Sequence, residues 1–219
     1  MNDVVPGTRR RHEQPLLRVA ERLCMAVALV MLGYYAWVSL EARVYQAYEN
    51  RELDAILASA PAVAERRPHT ARSGGRPVTP PAGSILGRIE IARIGVSAIV
   101  RTGSDARTLQ LAVGHIPGTA WPGENGNVGL AGHRDTFFRR LRDIAPDDRI
   151  RIVTPSASYD YRVQRTDVVA PADVWVLDDT TEPSLTLVTC YPFTYVGAAP
   201  ERFIVRAVLD HAGRVARAP

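Results

Sequence analysis

Leu185-Thr186-Leu187-Val188-Thr189-Cys190-Tyr191-Pro192, followed by the apolar run Phe203–Leu209 (FIVRAVL), decides how the chain is read. Both stretches are short, rich in branched apolar residues and flanked by turn formers, which is how strands present themselves in sequence. Outward from them, toward the N-terminus, the same texture recurs. Ile85–Ile91 alternates as ILGRIEI, Val128–Leu130 is a short apolar run, Arg149–Val153 reads RIRIV and Tyr159–Val163 reads YDYRV. Turn clusters such as Pro122-Gly123-Glu124-Asn125-Gly126-Asn127 separate them, and short helices fit only at Ala106–Ala112 and Phe137–Asp143. Many short strands with one or two short helices predict a mainly β domain, either a closed barrel or a sandwich. Ser84 to His211, 128 residues, is long enough to bury roughly two-thirds of its unfolded surface in one core.

Ahead of this domain the composition changes twice. Leu23–Leu40 (LCMAVALVMLGYYAWVSL) is 18 residues without a charge. As a helix it spans roughly 27 Å, close to the hydrocarbon thickness of a bilayer. Tyr34, Tyr35 and Trp37 lie near one end of it, and Arg9, Arg10, Arg11, Arg18 and Arg22 precede it. Rings favour the membrane interface and arginines the cytoplasmic side, so a single-pass anchor with its N-terminus inside is expected. The run exceeds a signal-peptide core of about 7–15 residues, and no small-residue cleavage site follows it. Residues 43–60 fit a short juxtamembrane helix, and residues 61–83 are rich in proline and glycine, the composition of an extended spacer. The expected order is therefore a cytoplasmic tail (1–22), an anchor (23–40), a stalk (41–83), the β domain (84–211) and a short tail (212–219).

Charge excludes one class of function. All 27 basic residues are arginine, and the net charge is +4. Residues 84–211 hold 14 arginines against 15 acids, so the basic excess lies in the flanks and no basic face for nucleic acid is expected.

The chain has two cysteines. Cys24 falls inside the expected span and Cys190 in the domain beyond it, so they cannot pair. A lone thiol outside the cytoplasm is an inert core residue, an intermolecular cross-link or a nucleophile, and these three readings stay open on this feature alone. A nucleophile needs thiolate character, usually from an imidazole, and a donor for the oxyanion. Of five histidines, His12, His69 and His211 lie in the tail, the stalk and the domain's end. His133 ends the run Asn127–Gly132, and His115 opens the turn Gly114-His115-Ile116-Pro117-Gly118; either is equally at home as a structural residue. Arg202 begins the run Phe203–Leu209. If that run forms a hairpin with Leu185–Val188, Arg202 returns beside Cys190, where a fixed guanidinium fork suits an oxyanion; otherwise it is a surface arginine at a strand edge. Asp135 is placed to hold Arg134 or a neighbouring loop, and Val174 and Trp175 to pack the core or wall a groove.

Three blocks, GHIPGTAWPG (114–123), GNVGLAGHRDTFF (126–138) and TLVTCYPF (186–193), resemble the sortase family, and are most similar to its class D. The resemblance covers roughly Ser84–Leu209. It implies an eight-stranded β-barrel and a cysteine transpeptidase, with Cys190 as nucleophile, His133 as general acid and Arg202 as substrate-positioning and oxyanion residue. Thr189, Tyr191 and His115 are its substrate-site candidates, although His115 by its own context orders a turn. It further implies secreted proteins with an LPxTG-like sorting signal as substrates and an amine, of a peptidoglycan precursor or another protein, as acceptor. No metal or organic cofactor is implied; a calcium site occurs in some sortases, and the acids here form no ligand motif for one. The competing class is a non-catalytic peptide-binding β domain. Other envelope thiol enzymes fit worse, because no S-x-G-C or C-G-x-C-W block is present and His133 precedes Cys190.

Overall fold

A computed structural model of the chain describes residues 13–59, 80–195 and 197–210. It divides into two compact units, Met1–Arg43 and Val44–Pro219. The helix α1 (Glu13–Ser59) supplies the described part of the first unit. Within it, Leu17–Trp37 is long and apolar enough to cross a membrane, and none of that stretch is buried. It overlaps the span expected at 23–40.

The second unit is built on eight strands: β1 (Ile85–Ile91), β2 (Val96–Thr102), β3 (Val113–His115), β4 (Asn127–Ala131), β5 (Arg149–Val153), β6 (Ser158–Val169), β7 (Ser184–Tyr191) and β8 (Glu201–Leu209). They close in the order β1-β2-β3-β4-β7-β8-β6-β5, which leaves no open edge. The two parallel pairings are β2 with β3 and β4 with β7; the rest are antiparallel. A helix, α2 (Ala106–Leu111), makes the crossover between β2 and β3. Asp105 caps it by accepting from the N–H groups of Arg107 and Thr108 and from the Thr108 hydroxyl, meeting the orphan donors of a first turn. The expected helix at 137–143 is a single 3-10 segment, Arg139–Asp143.

Alternation along the strands fills the barrel. Ile89 and Ile91, Val128 and Leu130, Leu185 and Leu187, and Val205 and Ala207 point inward to one continuous core. Residues of opposite parity therefore face outward, among them Gly129 and Ala131 on β4, and Val188 and Cys190 on β7.

A smaller cluster lies outside the barrel. Leu53 of α1, 1% exposed, packs on Ile99 of β2 and on Ala112. One turn and more before it, the Gln46 amide accepts from the Ile99 N–H (2.9 Å) and donates to the Leu111 carbonyl (2.7 Å). Arg88 of β1 reaches Asp54 at 2.8 Å, and the Arg101 guanidinium lies 5.3 Å from the Tyr45 ring. Residues 45–54 thus present one helical face to the barrel wall. In place of the short juxtamembrane helix expected over 43–60, residues 43–59 are the last part of the single helix α1, which docks onto the domain through Gln46 and Leu53; residue 60 lies outside the described residues. Of the proline-rich spacer, residues 61–79 lie outside the described residues, as do the tails 1–12 and 211–219.

Candidate active site

The pairing of β4 with β7 puts a histidine and a cysteine at one end of the barrel. Ala131 is the partner of Val188, and His133 and Cys190 each lie two residues beyond that pair. The antiparallel hairpin of β7 and β8 then makes Cys190 and Arg202 direct cross-strand partners, whose Cβ atoms in such a pair stand about 4.5–5.5 Å apart. The hairpin expected from sequence is therefore formed, and Cys190, His133 and Arg202 share one end of the barrel.

What holds His133 there is the residue before it. The Gly132 N–H donates to the Val188 carbonyl (3.1 Å), and the Gly132 carbonyl accepts from the Thr189 hydroxyl (2.7 Å). The Phe138 N–H donates back to the His133 carbonyl at 3.0 Å, closing the turn. Only glycine fits at 132, because a Cβ there would meet the Phe138 ring at 2.8 Å. His133 itself is exposed, and Cys190 is half-buried at the end of its strand.

Arg202 is half-buried, and its Nη1 donates to the carbonyls of Ala199 (3.3 Å) and Glu201 (2.9 Å). Beneath the connection from β7 to β8, Tyr191 and Phe203 stack with centroids 6.1 Å apart, and Phe193 meets the Phe203 ring edgewise at 5.2 Å. These aromatics give the Cys190 end an apolar base, with Phe193 and Phe203 packed on the barrel core.

The substrate-site candidates separate. Tyr191 lies beside Cys190 and is half-buried. Thr189 is 2% exposed and shares the inward parity of Leu185 and Leu187, so its hydroxyl serves Gly132. His115 ends β3, which runs antiparallel to β4 and pairs it with Leu130, and its ring is taken up by the turn that leads from β3 to β4. There it is buried, stacked on Trp121 with centroids 4.5 Å apart, and its Nε2–H donates to the Ala120 carbonyl at 2.9 Å. Burial pushes its pKa below the ordinary imidazole value, partly opposed by that hydrogen bond and by Glu124. The structure does not bring His115 to Cys190; it orders its own turn.

One wall of the outward face of β4 and β7 is the 3-10 segment Val174–Leu177. Buried Asn127 fastens it, donating to the carbonyls of Val176 and Asp178 (both 3.1 Å) and accepting from the Thr186 hydroxyl (2.7 Å). Val174 (68% exposed) and Trp175 (48%) project to solvent, so neither packs in the core. Arg134 does not turn to Asp135. Its Nη2 donates to the carbonyls of Tyr195 (2.7 Å) and Gly197 (3.1 Å). Gly132, beside His133, was expected to allow a close backbone approach and does so; Asn127 and Arg134 were missed as supports of the site, because their partners are long-range groups that no local pattern announces. Among the described residues no group of three or more His, Cys, Asp or Glu is placed to hold a metal ion.

A family model described as a sortase domain matches residues 89–210. The chain belongs to the sortase family. Sortases are cysteine transpeptidases. Over 127 residues it is 37% identical to Sortase D of Bacillus subtilis (strain 168), a match covering 58% of this chain and 64% of that protein. The chain thus spans slightly less than two-thirds of that relative's length. Among solved structures it is similar to a Clostridium perfringens Sortase D5 transpeptidase, with 34% identity, a TM-score of 0.53, and coverage of 57% of this chain and 79% of that one. Sortase C of Clostridium perfringens SM101 follows at 29% identity and TM-score 0.54, covering 59% of this chain and 71% of that one. The six site candidates, His115, His133, Thr189, Cys190, Tyr191 and Arg202, all lie within the matched residues.

Proposed function

We propose that this sortase is a membrane-anchored transpeptidase acting on an LPxTG-like sorting signal. The observation that carries the reading is the cross-strand pair Cys190–Arg202 at the barrel end where Gly132 ties the His133 turn to β7. The Cys190 thiolate attacks the carbonyl carbon of the signal's threonine. The oxyanion that forms is met by the guanidinium fork of Arg202. The scissile C–N bond then breaks, His133 gives its proton to the departing amine, and a thioester to Cys190 remains. An acceptor amine, of a peptidoglycan precursor or another protein, attacks the thioester, passes a proton to His133 and releases the thiolate. Dividing amide exchange into these two steps is the gain of covalent catalysis.

Leu17–Trp37 contains the anchor in this reading, and by the positive-inside rule the arginines before Leu23 put the N-terminus in the cytoplasm and the barrel outside. A reporter that works only outside the cytoplasm, fused after Pro219, is then active; a silent fusion reverses the orientation.

The test of the chemistry uses the full chain in detergent with a panel of sorting-signal peptides. The expected result is a thioester mass increment on Cys190 that moves to an added amine and is absent in Cys190→Ala. An increment that only hydrolyses identifies a peptidase. A folded chain that binds peptides without any increment identifies the non-catalytic module instead.

A further inference from the structure

We propose that Arg134 is a positioning residue that acts on the reaction through Arg202. The proposal rests on the catalytic reading of Cys190, His133 and Arg202 given above. Beyond the pair Tyr191–Glu201 the β7–β8 ladder ends, and the connection between them has to be held by other means. Three alternate carbonyls along it accept from two arginines. Tyr195 and Gly197 accept from Nη2 of Arg134 at 2.7 and 3.1 Å, and Ala199 accepts from Nη1 of Arg202 at 3.3 Å. The Arg134 guanidinium also lies 5.9 Å from the Tyr195 ring, within range of a cation–π attraction.

The two arginines therefore bind one and the same backbone segment. Arg202 reaches it from the base of β8, directly across from Cys190. Arg134 reaches it from the turn that carries His133, the residue immediately before it. Arg202 takes its orientation from the Ala199 and Glu201 carbonyls, so its aim depends on where that segment sits. Arg134 fixes the segment two and four residues away. Hydrogen bonds from a charged donor are stronger than neutral ones, and the two N–H groups of the one Nη2 nitrogen serve both carbonyls. Releasing Arg134 frees the connection, lets Arg202 swing with it, and weakens the charge offered to the oxyanion while leaving Cys190 and His133 in place.

The test is a double-mutant cycle on acyl-enzyme formation with the full chain, using the peptide that acylates it best. Arg134→Ala is expected to lower the acylation rate about tenfold with little change in KM, as loss of a contact realised in the transition state does. Arg134→Lys is expected to recover part of that loss. In the Arg202→Ala background, Arg134→Ala is expected to cost less than about twofold, since residues acting through one another are not additive. Equal costs in both backgrounds overturn the proposal, as does a loss confined to KM. Hydrogen exchange at the amides of Gly197 and Ala199 supplies a readout that needs no substrate. Exchange is expected to speed up in Arg134→Ala and to stay unchanged in Cys190→Ala; unchanged exchange in Arg134→Ala also overturns the proposal. If the parent chain forms no acyl-enzyme with any peptide, the transpeptidase reading fails while the exchange result still decides whether Arg134 holds the connection.

Discussion

The hydroxyl of Thr189 donates to the carbonyl of Gly132 at 2.7 Å, so the residue before Cys190 holds the residue before His133. Two chemistry-bearing side chains on different strands are thereby set by a contact between their neighbours. The inward parity of Thr189 is what makes this possible: with Cys190 facing out, the adjacent position faces the barrel interior, where the hydroxyl meets the carbonyl away from water. The strand alternation that builds the core thus also assembles the site.

Thr189→Val keeps the shape and deletes the donor. A buried carbonyl that loses its partner costs about 1–3 kcal/mol, which lowers Tm by roughly 5 °C in a domain of this size. The His133 turn loosens with it, so the acylation rate is expected to fall by more than the stability loss alone explains. Parallel melting curves and single-turnover acylation check this; an unchanged rate in a destabilised protein would mean that Thr189 serves the fold only.

Gly132→Ala meets a different obstacle. The new methyl would approach the buried Phe138 ring at 2.8 Å, and overpacking of this kind costs about 1–3 kcal/mol. Phe138→Leu made alongside it removes ring atoms from the point of contact and is expected to restore part of the acylation rate, although alone it opens a void. If the double variant is no better than Gly132→Ala, the clash is not the cause of the loss.

How far the sequence carried the fold can be seen strand by strand. β1, β5 and the first half of β6 alternate plainly, because one face of each meets the core and the other is more open, whereas β8 reads as an apolar run because its outward Ile204 is also buried. β2 did not declare itself. Its outward residue Ile99 is fully buried because Leu53 of α1 covers it, so Ala98-Ile99-Val100 reads as an unbroken apolar run. β3 is three residues long, too short for any period. Cys190, His133 and Arg202 were brought together as a set by the resemblance of the three blocks; their own context left each role open, although the two flanking runs did announce the hairpin that pairs Cys190 with Arg202. Asn127 and Arg134 were not legible as supports, since they act on carbonyls far along the chain. His115 lies in a block of its own, and there the local reading was the informative one: it stacks on Trp121 and bonds the Ala120 carbonyl within its own turn.

The docked face of α1 predicts that the folded unit is larger than the barrel. Without residues 44–59, the Ile99 N–H and the Leu111 carbonyl lose Gln46, and Ile99 and Ala112 lose Leu53. A protein covering Val44–Pro219 is expected to melt several degrees above one covering Ser84–Pro219, and Leu53→Ala in the longer protein to lose about 2–4 kcal/mol. Gln46→Ala should cost less, because water can reach part of that contact. Equal melting temperatures for the two lengths would show that the helix adds nothing to the domain.

His115 gives the chain an acid-sensitive element. Burial holds its pKa below the usual 6.5, so the unfolded chain binds this proton at a higher pH than the native one does. Where the unfolded state binds more protons, stability rises with pH; the contribution of His115 is therefore complete above about pH 7 and is lost as pH falls below 6.5. Asp148, held low by Arg93, and Asp105, held low by Thr108, act in a separate window, their stabilisation being lost only as pH drops through the carboxylate range. His115→Gln gives up the stack on Trp121 and is expected to be less stable at pH 7.5, yet to show a flatter profile down to pH 5.5. Denaturant titrations of both proteins across that interval decide it: parallel profiles would assign the acid sensitivity to another group.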